Sequence, residues 1–576
     1  PRRPGPSPLM TASSRSDPPA GPPPETPPET PTARPARVHG PLGIAGLTLV
    51  SRVLGFVRWI VQASTVGAGT VAGAYTTANQ VPNVLYEVVV GGALAATVVP
   101  LLAPAAVPAR SREASRTASG LLGVVLAVLT PLALLLAVLA DPIAGLLPSS
   151  AGADPGLQAD LVADFLRMFA AQVPLYGIGV VLTGVLQACG RFTWPALTPI
   201  LSSLIVMATY AVFGAMTSDS PGQAGSTALS VLGWGTTAGV AALSLPLLYP
   251  VMRLGIRLRP TLHVDRAIAW RALRLGSAGV WTLVAQQASV LAVLALARSG
   301  GRTGTVAVYQ YTQAVYMLPY AVMAVPVATV VYPRLAAAFD AGGGRPAGQR
   351  AHRYPPRAVE LAAASTALVT AVALAGSGML MAASAGAERF FALLTDVDGM
   401  GESLAVLAPA LVGYSLIYQV TRILFAAGRA RPAAQATALG WATVAGASAV
   451  AVRLMAPGGG DGRATLVALA IGLTIGMSVA GAGMLLALAL TVGTQVLGPT
   501  LRALAVGAPV ALLVGLCARI LSARIEAVPA SIAVAVVNAL AAACLVMGVC
   551  AGADRRLLNV LRSGTASTDS IESLST

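Results

Sequence analysis

About fourteen long apolar runs follow one another along this chain, and no other feature limits its fold so strongly. A helix of roughly 20 mostly apolar residues is long enough to cross a bilayer while satisfying its own backbone hydrogen bonds. The first six runs lie at about 41–66, 73–104, 117–140, 160–188, 193–216 and 226–252. Six more lie at about 269–297, 304–336, 357–386, 402–427, 432–455 and 464–492, and a final pair at about 499–521 and 529–551. Composition agrees: of 576 residues, 56% are hydrophobic and 10% charged, against about 25% charged in soluble domains. The expectation is an all-α polytopic membrane protein with about 14 transmembrane helices.

Charge sets the orientation. The formal net charge is +15, and with no lysine present arginine carries all of it. Every second loop is arginine-rich: Arg110, Arg112 and Arg116; Arg191; Arg253, Arg257, Arg259 and Arg266; Arg334, Arg345, Arg350, Arg353 and Arg357; Arg429 and Arg431; then Arg555, Arg556 and Arg562. The intervening loops hold acids, among them Asp141, Asp154, Asp219, Glu388, Asp396, Asp398 and Glu402, with Arg298, Arg302, Arg463 and Arg524 as exceptions. Basic loops stay in the cytoplasm, so the alternation predicts an even number of spans in a plasma membrane and cytoplasmic N- and C-termini. Arginine is not clustered with exposed aromatics on one face, which argues against a nucleic-acid partner.

The largest basic loop follows six spans. It divides the chain into an N-lobe at 41–252, a basic cytoplasmic loop at 253–268, a C-lobe at 269–492 and a helix pair at 499–551. Two six-helix lobes facing each other enclose a central cavity, the plan that suits alternating access. Residues 1–40 are Pro-rich and expected to be a disordered cytoplasmic tail, with a second tail at 552–576. Prolines such as Pro82, Pro131, Pro199, Pro319 and Pro409 sit in or near the apolar runs and predict kinks. Cys189, Cys517, Cys544 and Cys550 lack metal or disulfide spacing and read as buried inert thiols, and His39, His263 and His352 are scattered. No metal, cofactor or catalytic residue is expected. Nothing matches a phosphate-binding loop, so energy for any transport must come from ion gradients, membrane potential or the substrate gradient.

The first apolar run carries two guanidinium groups, in Ser51-Arg52-Val53-Leu54-Gly55-Phe56-Val57-Arg58. An arginine at mid-bilayer costs about 3 kcal/mol on insertion scales, so such residues face a protein interior or a water-filled cavity. Snorkelling to the headgroups is open to Arg58 and difficult for Arg52. Glu87, in the second run, is placed either to pair with one of them or to carry a proton or cation. Arg422 follows Tyr414 and Tyr418 at helical spacing and reads as an interfacial anchor, while Arg167 and Asp164 read as a local pair.

That arginine motif, followed by Gly67-Ala68-Gly69, Ala78-Asn79-Gln80-Val81-Pro82-Asn83-Val84-Leu85, Gly92-Ala93 and Val98-Val99-Pro100, resembles the MurJ (MviN) family of lipid II flippases in order and spacing. A looser match runs from Tyr311 through Met317-Leu318-Pro319 to Tyr332-Pro333-Arg334. The resemblance implies the multidrug/oligosaccharidyl-lipid/polysaccharide exporter fold, a divergent actinobacterial-type member, and a cavity receiving the lipid-linked headgroup. It also implies a groove on the last helix pair for the polyprenyl tail. Arg52 and Arg58 fall on family cavity arginines.

Several family positions differ. The acid after the second arginine is Trp59, that before the second span is Gly73, the arginine pair after Pro-Asn-x-Leu is Tyr86-Glu87, and the glutamate before Gly-Ala is Gly91. Glu87 lies one turn before Gly91, in position to replace that acid. The eighth-span arginine is Ala314, with Gln313 beside it. The expected substrate-contacting set is Arg52, Arg58, Asn83, Glu87 and Gln313. The expected function is flipping of lipid II, with membrane lipids and cell-wall synthesis proteins as further partners. The alternatives are export of another polyprenyl-linked glycan, a non-transporting scaffold for cell-wall synthesis, and a polytopic glycosyltransferase, which the absence of carboxylate in the loop at 66–71 disfavours.

Overall fold

The computed structural model describes residues 41–88, 111–218, 224–262, 266–340 and 354–553. The tail expected at 1–40, most of that at 552–576 and the later part of the second span lie outside these. The first group of helices is α1 (Pro41–Thr65), α2 (Thr70–Tyr86), α3 (Ser111–Val138), α4 (Ala140–Leu146), α5 (Pro155–Ala170), α6 (Gln172–Ala188), α7 (Thr193–Met216), α8 (Ser226–Ser244) and α9 (Leu248–Arg253). The second is α10 (Arg266–Gly300), α11 (Thr305–Pro319), α12 (Val325–Asp340), α13 (Pro356–Ala392), α14 (Met400–Leu407), α15 (Ala410–Ala426), α16 (Ala430–Met455) and α17 (Gly462–Val492). A last pair follows, α18 (Leu497–Ala523) and α19 (Val528–Ala553).

The protein is the expected all-helical membrane protein. Twelve helical stretches among the described residues are long and apolar enough to cross a membrane, and α14 with α15, bent by 46° at Pro409, makes a thirteenth if taken as one span. The second expected span begins in α2 and leaves the described residues at 89. The remaining prolines act locally. Pro131 and Pro199 are absorbed within α3 and α7, and Pro319 ends α11 and passes into one π-helical turn, Tyr320–Ala324, before α12. Two helix starts follow ordinary capping chemistry. Asp154 Oδ2 accepts the Leu157 N–H at 2.8 Å with Pro155 in the first turn, and Asp461 Oδ1 accepts the Ala464 N–H at 2.9 Å.

Helices α1–α9 pack mainly on one another, as do α10–α17, while α18 and α19 lie against α13. Lipid offers no hydrophobic drive between helices, so close approach of small residues carries the packing. In the α16–α17 seam a Cβ on Gly476 would meet the Val444 Cγ2 at 2.3 Å. Arg389, at the end of α13, ties down the final pair by donating to the Ala523 carbonyl at 2.7 Å and to those of Ser522 and Ile525. Among the cysteines Cys550 is buried and Cys189 half-buried. Cys517 and Cys544 are exposed on α18 and α19, which corrects the buried expectation: an apolar thiol on a lipid-facing helix needs no protein cover.

Among the described residues the two groups of helices meet mainly at one face. There α11 touches α1 and α2, and the loops interlock. Thr303 N donates to Ala151 O at 2.7 Å, Tyr311 OH to Gly67 O at 2.6 Å, and Arg298 reaches across to Pro148 O at 2.6 Å. Gly304, at φ +89°, is required: a Cβ there would fall 1.6 Å from Ala68 O.

Candidate substrate cavity

Below this seal the lobes part around a cavity of about 770 Å³. Its first wall is the α1 face bearing Ser51, Arg52, Gly55, Phe56, Arg58 and Trp59, one side of a helix by spacing. Pro195, Pro199 and Ser202 of α7 form the second wall, and Gln310, Gln313, Ala314 and Met317 of α11 the third. The seal joins the end of α1 to the start of α11, whereas the cavity reaches back to Thr48 and on to Val322, so it extends toward the opposite face.

Arg52 and Arg58 are the charged lining residues among those described, and no lining residue is acidic. Arg52 is exposed to the cavity and has no hydrogen-bond or ion-pair partner among the described residues. Arg58 is half-buried, its guanidinium carbon 5.6 Å from the centroid of the Trp59 ring, so Trp59 offers it a π face and no counter-charge. No ion pair joins Glu87 to either arginine among the described residues, and Glu87, exposed at the end of α2, lines none of the cavities described here. An arginine facing water keeps its hydration, which removes the burial cost that pairing with Glu87 would relieve.

Two smaller pockets open off this cavity. One, of about 240 Å³, runs into the N-terminal group of helices and shares Arg58, Trp59, Ser202 and Gln310 with it. Asn83 lies there, accepting the Tyr176 hydroxyl at 3.0 Å. The other, of about 200 Å³, lies among the C-terminal helices and shares Gln310, Gln313 and Met317. Gln313 donates to Tyr309 OH at 2.7 Å. Arg52, Arg58 and Gln313 are thus brought into one cavity, Asn83 into an adjoining pocket, and Glu87 into neither. Gln310, which lines all three spaces, was not singled out in the sequence, where a lone glutamine gives no signal. Arg422 stacks over Tyr418 at 3.5 Å on α15, outside these linings, and Arg167 pairs with Asp164 at 2.9 Å and with Asp141.

An all-helical, two-lobed membrane protein with an arginine-bearing cavity between its lobes is the class this arrangement defines. Comparison with known proteins narrows it. The family "Lipid II flippase MurJ" matches residues 62–523, and the chain belongs to that family. Locally it is 42% identical over 59 residues to a probable lipid II flippase MurJ of Vibrio cholerae and 45% identical over 56 residues to one of Haemophilus influenzae. Those alignments span 10% of this chain and 11% of each relative. In structure it is similar to a lipid II flippase MurJ in an inward closed conformation, with a TM-score of 0.65 at 15% identity, covering 88% of this chain and 98% of that one. An inward-facing multidrug resistance transporter of the MATE family, in the MOP superfamily, follows with a TM-score of 0.56 at 15% identity, covering 78% of this chain and 98% of that one.

Proposed function

We propose that the chain moves lipid II, an undecaprenyl- or decaprenyl-pyrophosphate-linked muropeptide, from the inner to the outer leaflet of the plasma membrane by alternating access. The observation that carries this reading is the placement of Arg52 and Arg58, with no ion-pair partner and no acidic lining residue among the described residues, in a cavity between lobes joined at one face. Guanidinium binds pyrophosphate oxygens in a forked, permanently charged geometry, and two of them offset the charge that a lipid pyrophosphate brings into the membrane. Gln313 in the cavity and Asn83 in the adjoining pocket contribute polar contacts to the rest of the headgroup, whereas Glu87, outside both, makes none in this conformation.

With both termini in the cytoplasm, the joined face is the outer one, and this conformation receives substrate from inside. Release then requires the contacts of Arg298, Tyr311 and Thr303 to part. The tail rides on the α18–α19 pair, in contact with membrane lipids, and proteins of cell-wall synthesis deliver and take up the substrate. Membrane potential suffices to reset the cycle, since moving one charge through 100 mV is worth about 2.3 kcal/mol.

A bacterium depleted of its own lipid II flippase, expressing this chain or its Arg52→Ala variant at matched membrane levels, tests the reading through outer-leaflet lipid II. Restoration by the wild type and not by the variant is expected. An inserted wild type that restores nothing overturns it. One observation favours a second reading, export of a different polyprenyl-linked glycan: two of the four cavity arginines that the resemblance leads one to expect are missing, and Ala314, at one of those positions, lines the cavity, so the anion site carries less charge.

A further inference from the structure

The pocket that leads from the main cavity into the N-terminal helices has a composition the arginines do not explain. Thr76, Asn79, Gln80 and Asn83 of α2 all line it, and their spacing places them on one face of the helix. They form a stripe of amides and a hydroxyl with no charge. Tyr176 of α6 and Tyr210 of α7 bring phenol rings to the pocket from across it, and Tyr75 of α2 itself adds a third. Arg58 is the charged residue among those lining the pocket, and it stands where the pocket meets the main cavity.

The inner side is already satisfied. Tyr75 OH lies 2.8 Å from Tyr210 OH and 3.0 Å from Thr236 Oγ1, and Tyr210 OH donates to Gln62 Oε1 at 3.1 Å. Asn79, half-buried, has no hydrogen-bond partner among the described residues. A membrane-embedded amide with both its donor and its acceptor uncommitted is costly unless water or a ligand meets it.

At about 240 Å³ the pocket is below the roughly 300 Å³ at which whole-ligand pockets begin, so it suits one portion of a larger molecule. A cation finds no carboxylate among the described lining residues, and a plain hydrocarbon would strand the amides. What fits is an uncharged group rich in hydroxyls or amides, with apolar ring faces to lie on tyrosine, joined to an anion held at Arg58. That is the chemistry of a sugar linked through phosphate.

We infer that this pocket is a sugar subsite, with Asn79 as its specificity-determining residue, taking the uncharged, acetamido-bearing sugar next to the pyrophosphate. The inference rests on the pyrophosphate reading of Arg52 and Arg58 and adds to it which lobe receives the sugar.

The test is equilibrium binding to the full chain in lipid nanodiscs, with two probes. One is a prenyl pyrophosphate, the other the same prenyl pyrophosphate bearing one N-acetylhexosamine. The wild type is expected to bind the sugar-bearing probe at least tenfold more tightly. Asn79→Leu, close in size and without the amide, is expected to reduce that preference to less than threefold while leaving affinity for the sugarless probe unchanged. That unchanged affinity also shows that the variant is folded, and Asn79→Ala serves in its place where leucine disturbs packing. A wild type without preference for the sugar, or an Asn79 variant that keeps it, overturns the inference. Sugarless binding that Arg52→Ala leaves intact overturns the pyrophosphate reading instead, and the two failures are read from different probes.

Discussion

Arg298 of α10 donates from Nη1 to Thr77 Oγ1 of α2 over 3.2 Å, a guanidinium bound to a neutral hydroxyl across the junction of the two lobes. Its Nε donates to Pro148 O at 2.6 Å and its Nη2 to Gln158 Oε1 at 3.5 Å, and the residue is 3% exposed. A buried cation held only by neutral oxygens depends on all of them staying in place. All three acceptors belong to the N-terminal group of helices, so separating the lobes at this face breaks every one.

Arg298→Met should therefore weaken the junction. Charge-assisted hydrogen bonds are worth about 1.5–3 kcal/mol each, and the variant recovers part of that by removing a buried charge. A net loss of about 2 kcal/mol changes the ratio of joined to parted lobes roughly thirtyfold. Spin labels at Asp141→Cys and Asp398→Cys, exposed on either side, in a background lacking the native cysteines, report the distance. A broader distribution with a longer component is expected, and an unaltered one rules out this role for Arg298.

Arg298 also shows where the sequence stops being legible. The apolar runs placed the helices, and arginine-rich alternate loops gave the orientation that the proposed mechanism uses. Arg298, Arg302 and Arg463 looked like exceptions because their partners are far away in sequence. Arg302 pairs with Asp396, 94 residues on, and Arg463 with Glu402. The burial cost of Arg52 points to a cavity from the sequence alone, whereas Glu87, which the sequence offers as its partner, forms no ion pair with it among the described residues. The stripe of Thr76, Asn79, Gln80 and Asn83 was readable by spacing, but which side of α2 borders a pocket depends on α6 and α7, more than ninety residues away.

Arg52→Lys separates charge from geometry. Lysine keeps the positive charge and loses the fork that grips two phosphate oxygens. Outer-leaflet lipid II in the depletion strain should fall between wild type and Arg52→Ala. Neither substitution should change thermal stability by more than about 0.5 kcal/mol, because Arg52 has no hydrogen-bond or ion-pair partner among the described residues. Full activity in Arg52→Lys would show that point charge is enough.

Gly476 and Gly446 make a matched pair at the C-terminal helices. A Cβ at Gly476 runs into Val444, whereas one at Gly446, on α16, meets nothing within 4 Å. Gly476→Leu forces the α16–α17 seam apart and should cost about 3 kcal/mol. It lowers the unfolding temperature in detergent and the yield of inserted protein. Gly446→Ala should be neutral or stabilising, since alanine is the better helix former. Equal effects at the two sites would mean that the seam is not closely packed.

Ala314 offers a gain-of-function counterpart. It lines the main cavity on α11, across from Arg52 and Arg58 on α1, at the position where the family resemblance places an arginine. The cavity of about 770 Å³ has room for a longer side chain. Ala314→Arg would let both lobes contact one anion. A charge-assisted bond of about 1.5–3 kcal/mol, less the repulsion between three like charges facing water, leaves roughly 1.4 kcal/mol, or tenfold tighter binding of a prenyl pyrophosphate. Binding to the full chain in nanodiscs measures it, with prenyl alcohol as the uncharged control. Tighter binding confined to the pyrophosphate places the anion between α1 and α11. An unchanged or weaker affinity moves the anion away from the C-terminal wall and leaves it to Arg52 and Arg58 alone.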